Sequence, residues 1–128
     1  MSYMRHHAMI VTTFTPEYAQ KAHGVAVEIF GERVTPIITD NVNAYKTFFI
    51  VPDGSKEGWD ASEIGDMQRD RFIEWLDSTR HEDGSCSYSW VEVQYGDDEK
   101  KTLVVGNNRE VGTSPGDSLF SGLFRGCE

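Results

Sequence analysis

The densest set of residues able to hold a charged ligand runs from Pro52 to Trp75. Gly54 and Gly58 flank Ser55, Lys56 and Glu57, and Trp59 follows directly. Glycines let loop amides approach an anion closely, and Lys56 adds a mobile positive charge. A helix beginning after the loop would contribute unpaired amides and a partial positive charge. Arg69 and Arg71 lie further along. Together these residues suit a phosphate or carboxylate, with Trp59 stacking on a base or ring. Neither the P-loop pattern GxxxxGK[ST] nor GxGxxG is present. The competing account is structural: the glycines make turns, Trp59 caps the core, and Lys56 pairs with Glu57 or Asp60.

His6 and His7 are the next candidates. Adjacent residues of a strand face opposite sides, so a metal site would need partners such as His23, His81 or the acids. There is no HExxH or HxxEH spacing, and Cys86 has no CxxC mate. No metal and no cofactor are expected. The functional reading is a histidine that hydrogen-bonds a ligand over a sheet, and the plain one is a strand-edge histidine. Tyr45 is a second aromatic able to stack. No GxSxG elbow is present. The histidines lack the paired HxS/T pattern of two-histidine phosphoesterases. No sequence neighbour argues for a depressed Cys86 pKa, and Asp66 and Asp70 read as a solvated helix face. No residue is assigned a catalytic role. Phe48, Phe49, Tyr88, Trp90 and Tyr95 fall on expected strands without the basic residues of an RNA-binding sheet, so they are read as core.

The elements that must position these groups follow from periodicity. Ala8–Phe14 is a short apolar strand. Thr15 and Pro16 suit the cap and first position of a helix. Tyr18, Ala22, Val25 and Ile29 continue it, and Gly31 stops it. Gly24, in its middle, is expected to mark close packing. Residues 34–39 read as an edge or bulged strand because Pro36 cannot donate to a ladder. A polar turn at 40–43 and a strand over 45–51 complete a hairpin. A second helix starts between Ser62 and Asp66, with Ile64, Met67, Phe72, Trp75 and Leu76 on its apolar side. Tyr88–Tyr95 is a fourth strand, and Thr102–Val105 a short fifth. The order β-α-β-β-α-β, with an extra C-terminal hairpin strand, predicts an α+β domain of ferredoxin-like type over 1–105. Residues 106–128 form a glycine-rich irregular tail, in which Leu119, Phe120, Leu123 and Phe124 make a short amphipathic segment.

Composition bounds the partners. The chain has 128 residues, enough for one domain, and 38% of them are hydrophobic. Twenty-one acids against twelve Lys and Arg give a net charge of −9. That balance disfavours general nucleic-acid binding and docking on an anionic membrane. No apolar run approaches the roughly 20 residues of a membrane span. The N-terminus lacks the apolar stretch of a signal peptide, so a cytoplasmic protein is expected. Cys86 and Cys127 then read as reduced thiols.

Four stretches together resemble small proteins of tailed bacteriophages and prophages, a group with no assigned activity. They are Arg5–Thr12, Pro52–Trp59, Arg71–Leu76 and Trp90–Asp98. The resemblance covers roughly residues 5 to 98. It implies a setting, the cytoplasm of an infected bacterium, where accessory proteins act against host defence. The expected function is non-catalytic sequestration of a small anionic ligand such as a nucleotide signal. The ligand would be held by Gly54, Ser55, Lys56, Gly58, Arg69 and Arg71, stacked on Trp59 or Tyr45 and hydrogen-bonded by His6 or His7. A homo-oligomer interface would close the site. The alternatives are an acidic inhibitor that binds a basic host defence protein, and a nucleotide-processing enzyme.

Overall fold

The computed structural model describes residues 4–96 and 102–108. The amphipathic segment expected at 119–124 lies outside them. The elements are β1 (His6–Thr13), α1 (Pro16–Phe30), a 3-10 turn (Gly31–Arg33), β2 (Ile38–Thr39), β3 (Lys46–Ile50), α2 (Asp60–Ser78), β4 (Tyr88–Tyr95) and β5 (Leu103–Asn107). One five-stranded sheet has the order β2-β3-β1-β4-β5, and every neighbouring pair is antiparallel. The chain is α+β, and its first four strands follow the ferredoxin-like order, with β5 added beyond β4.

Local chemistry accounts for α1 closely. Thr15 Oγ1 accepts from the Tyr18 amide at 3.2 Å, and Pro16 occupies the first turn. Gly31 ends the helix at a φ of +67°, a conformation that glycine adopts without strain. The edge strand is shorter than expected. Only Ile38–Thr39 pairs regularly, while Val34 makes an isolated bridge to Ile50 and the Thr35 amide donates to Phe49 O at 2.9 Å. Pro36 interrupts the ladder between them. In the following loop the Asp40 carboxylate accepts four backbone amides, from Val42, Asn43, Ala44 and Tyr45. The Asn43 amide first, then the others, holds its carboxyl below the usual range.

Both helices lie on one face of the sheet. Met9 and Val11 of β1, Phe48 and Ile50 of β3, and Tyr88 and Trp90 of β4 point toward them. They meet Ala22, Ala26, Ile29 and Phe30 of α1 and Phe72, Ile73 and Leu76 of α2. Phe72 stacks on Trp75 with centroids 6.1 Å apart and meets Phe30 edge-on. β5 continues past residue 105, carrying Gly106 and Asn107 into the sheet. There Asn108 is buried, accepting from the Trp90 amide and donating to Tyr88 O.

Two expectations about the helices are corrected. α2 begins at Asp60 rather than at or beyond Ser62. Its inward face is Ser62, Gly65, Arg69, Phe72, Ile73 and Leu76, while Ile64 and Met67 are exposed at 56% and 70%. Gly24 does not mark close packing either: a Cβ there would meet nothing within 4 Å. It is an exposed helix-interior glycine, so Gly24→Ala is expected to stabilise the fold by about 1 kcal/mol. An unchanged or lower urea midpoint would contradict this.

Candidate functional site

The residues with the most unusual surroundings sit beneath the 52–59 loop, where the first half of α2 covers the ends of β1 and β4. His7 occupies a core-facing position of β1, in phase with Met9, Val11 and Thr13. Glu92 does the same on β4, in phase with Tyr88 and Trp90. Arg69 enters from α2 and is 5% exposed. Its Nε lies 3.3 Å from Glu92 Oε2, and its other face bonds Asp66 one turn earlier. On the far side of Glu92, His7 Nδ1 stands 3.9 Å from Oε2, an ion-pair distance without a hydrogen bond. His7 Nε2 donates to Glu57 Oε1 at 2.7 Å. Glu57 Oε2 in turn accepts from Ser62 Oγ at 3.4 Å. A continuous acid–base chain thus links the loop, β1, β4 and α2.

A second ion pair lies alongside. Arg33 stands 3.9 Å from Asp53 and bonds Gln68, whose amide donates to Ile29 O at 3.0 Å. Burial pushes the Asp53 carboxyl up, but the Ser55 hydroxyl and amide, with Arg33, hold it below its usual range. Gly65 makes room for this arrangement. A Cβ there would sit 3.0 Å from Asp53 Oδ2 and 3.2 Å from an Arg69 nitrogen.

The sequence-predicted ligand residues are only partly gathered. His7 and Arg69 fall in the acid–base chain, joined through Glu92. Lys56 forms an isolated bridge with Met4, and its ammonium lies 6.0 Å from the centre of the half-exposed Trp59 ring. Gly54 and Gly58 both adopt positive φ, +79° and +91°. Ser55 is turned back onto Asp53, to which its amide and hydroxyl both donate. His6 faces away from His7 and packs on Tyr95 at 5.2 Å. Arg71 lies on the outer side of α2. Tyr45 is at the opposite end of the sheet, beside the pairing of Thr13 with Lys46, whereas Lys56 pairs near the start of β1. Tyr45 lines a different cleft of about 230 Å³, with Phe14, Cys86 and Ser89. Another cleft, of about 300 Å³, lies between Tyr18, Lys21, Trp75 and His81.

Arg69 therefore reaches no open phosphate site, because two carboxylates already face its guanidinium. The α2 N-terminus has no side-chain cap, and its first turn carries Asp60 and Glu63, which weaken its pull on anions. Sequence reasoning missed Glu57, Glu92, Asp53 and Arg33. The signal was present: His7, Glu92 and Arg69 each sit at a position whose phase in its element is that of the core.

Cys86, expected as a reduced thiol, is disulfide-bonded. The other cysteine, Cys127, lies outside the described residues. Among the described residues no group of three or more His, Cys, Asp or Glu is placed to hold a metal ion. No helix among them is long and apolar enough to cross a membrane.

The His7 pair has a pH signature. Burial pulls the imidazole pKa down, but Glu92 and Glu57 outweigh burial, and the net shift is upward from 6.5. The folded state thus favours protonated His7. That contribution is complete below 6.5, the ordinary value, and fades as pH rises through the higher folded value. Urea midpoints should fall across that window in the native chain. In His7→Gln this component of the fall should be missing. An equal fall in both proteins would contradict the assignment.

No family model, no curated protein and no solved structure matches this chain.

Proposed function

We propose that the protein is a non-catalytic binding protein that presents the outer face of α2 to a basic protein partner. One observation carries this reading: Ile64 and Met67 stand 56% and 70% exposed in the middle of an acidic helix face. Asp60, Glu63, Asp70 and Glu74 surround them along the same stripe, with Arg71 among them. Two large apolar side chains one turn apart, ringed by carboxylates, match the anatomy of a protein interface. The apolar pair supplies desolvated contact area, and the charged rim steers a partner of opposite sign. The net charge of −9 acts in the same direction.

In the bacteriophage setting that the sequence resemblance implies, the partner is a host defence protein and the location is the bacterial cytoplasm. Immobilised protein should capture one basic protein from bacterial lysate. Salt above about 0.5 M should release it, since screening there acts within a few ångströms. Replacing Ile64→Lys and Met67→Lys together should cut capture at least tenfold, roughly the loss of one modest hot spot. Failure to capture anything, or equal capture by the double variant, would overturn the reading.

A second reading is supported by Lys56 and Trp59. A half-exposed indole, with 6.0 Å from its centre the ammonium of a lysine that lies between two positive-φ glycines, is suited to stack a base and attract its phosphate. The ligand would be a nucleotide signal held by sequestration, and an enzyme acting on such a ligand would instead release it altered. Titration calorimetry with cyclic di- and trinucleotides and ADP-ribose derivatives should give heat that Trp59→Ala abolishes. Silence with every one of them would remove this reading and leave the helix-face proposal untouched.

A further inference from the structure

The second face of the sheet carries exposed apolar side chains on its β1, β2 and β3 side, whereas Asn107, opposite Val91 on β5, is buried. β1 alternates, so that Ala8, Ile10 and Thr12 point away from the helices. Their neighbours on that face are Phe49 and Thr47 of β3 and Val91 and Val93 of β4. The hydrogen bond between Thr12 Oγ1 and Thr47 Oγ1, at 2.9 Å, fixes which side chains share it. Ile38 joins the face through its pairing with Thr47, and Val104 through its pairing with Val93. Ile10, Ile38, Phe49 and Val104 are exposed. No helix covers this side among the described residues.

The face is also free of Asp, Glu, Lys and Arg along the described strands, and its titratable side chains there are His6 and Tyr95, packed on each other at the rim. That is unusual in a chain carrying −9. A basic partner gains nothing from a charge-free surface. A second copy of this acidic chain suits it, since two like-charged molecules can approach through this face without setting carboxylates of the described strands against one another.

From these observations we infer that the open sheet face is a homodimer interface, two copies packing sheet against sheet. Such packing places two sheets about 10 Å apart with their side chains interleaved. A two-fold axis through the face brings β1 of one protomer over β1 of its partner and buries Ile10 and Phe49 of both. Five strands about 4.8 Å apart, the longest about 26 Å, give a footprint on the order of 500 Å². A standard interface buries roughly 800 Å² per partner. The dimer is therefore expected to be concentration-dependent, and the rim contributes to it. The interface lies on the side of the sheet opposite α2, so the dimer leaves both acidic helix faces exposed, pointing outward. The inference does not rest on the helix-face reading.

Sedimentation equilibrium of the full chain tests it over a range of concentrations. The expected result is a reversible shift from 14.5 kDa to twice that mass. Ile10→Asp should raise the dissociation constant at least about 30-fold, the effect of removing a central hot spot. Phe49→Thr, which retains a strand-compatible residue, should weaken the dimer in a protein whose circular dichroism is unchanged. Three results would overturn the inference: a native chain that stays monomeric at every concentration, a dimer that neither substitution weakens, or a monomer whose Phe49→Trp variant emits at buried wavelengths, which would mean that other residues of the same chain cover the face.

Discussion

The arrangement of the half of the molecule beneath the start of α2 turns on one buried guanidinium. Arg69 enters the layer between α2 and the sheet, where an apolar side chain would ordinarily sit. It is held by Glu92 on the sheet and by Asp66 on its own helix. An unpaired charge there would cost several kcal/mol, so the first half of α2 can settle on the sheet only with Glu92 in place. Glu92 also faces His7, and His7 bonds Glu57. One cation thus fixes the seating of α2, the exit of the 52–59 loop and the first residues of β1. The small inward residues Ser62 and Gly65 belong to the same constraint, since a larger side chain at 65 would push on Arg69 and Asp53.

This constraint explains what was legible in the sequence and what was not. α1 could be read almost to the residue because each of its signals is local: a threonine cap, a proline in the first turn, an apolar stripe and a glycine stop. The strand order followed from the alternation of apolar runs with helical ones. One face of α2 is hidden from a hydrophobicity reading because its inward stripe is half polar. Ile64 and Met67 suit a core by hydrophobicity alone, whereas Ser62, Gly65 and Arg69 keep the helical period with Phe72, Ile73 and Leu76. A charge is placed at a core position only when partners on other elements arrive with it. Those partners, His7 and Glu92, lie 62 residues before and 23 residues after Arg69 in the chain. Each is interpretable only once the register of β1 against β4 is known.

The electrostatics of the loop follow from the same pairing. From sequence, Lys56, Arg69 and Arg71 form a positive cluster in an acidic chain. In the structure three cations near the loop each have an acid or an aromatic ring beside them: Arg33 faces Asp53, Arg69 faces Glu92 and Asp66, and Lys56 lies over Trp59. Arg71 points to the other side of the helix. The basic residues serve to seat α2 on the sheet, and the anion-attracting potential that they suggest is largely cancelled. What remains for recognition at the loop is the aromatic surface of Trp59 with one ammonium.

Seating α2 on charges rather than on Ile64 and Met67 has a consequence on its outer side. A helix with a fixed number of apolar residues can place them inward or outward, and burying Arg69 leaves two of them outside. Their exposure is then a product of the packing solution beneath. A variant that made position 69 apolar would leave the Glu92 carboxylate with His7 as its remaining cationic partner, and it would also remove the constraint that holds α2 in its present rotation. The helix could then roll to bury Met67, and the acidic face would lose its apolar centre. The polar layer under α2 and the apolar pair above it are therefore two sides of one choice of helix phase, set by which residue faces Glu92.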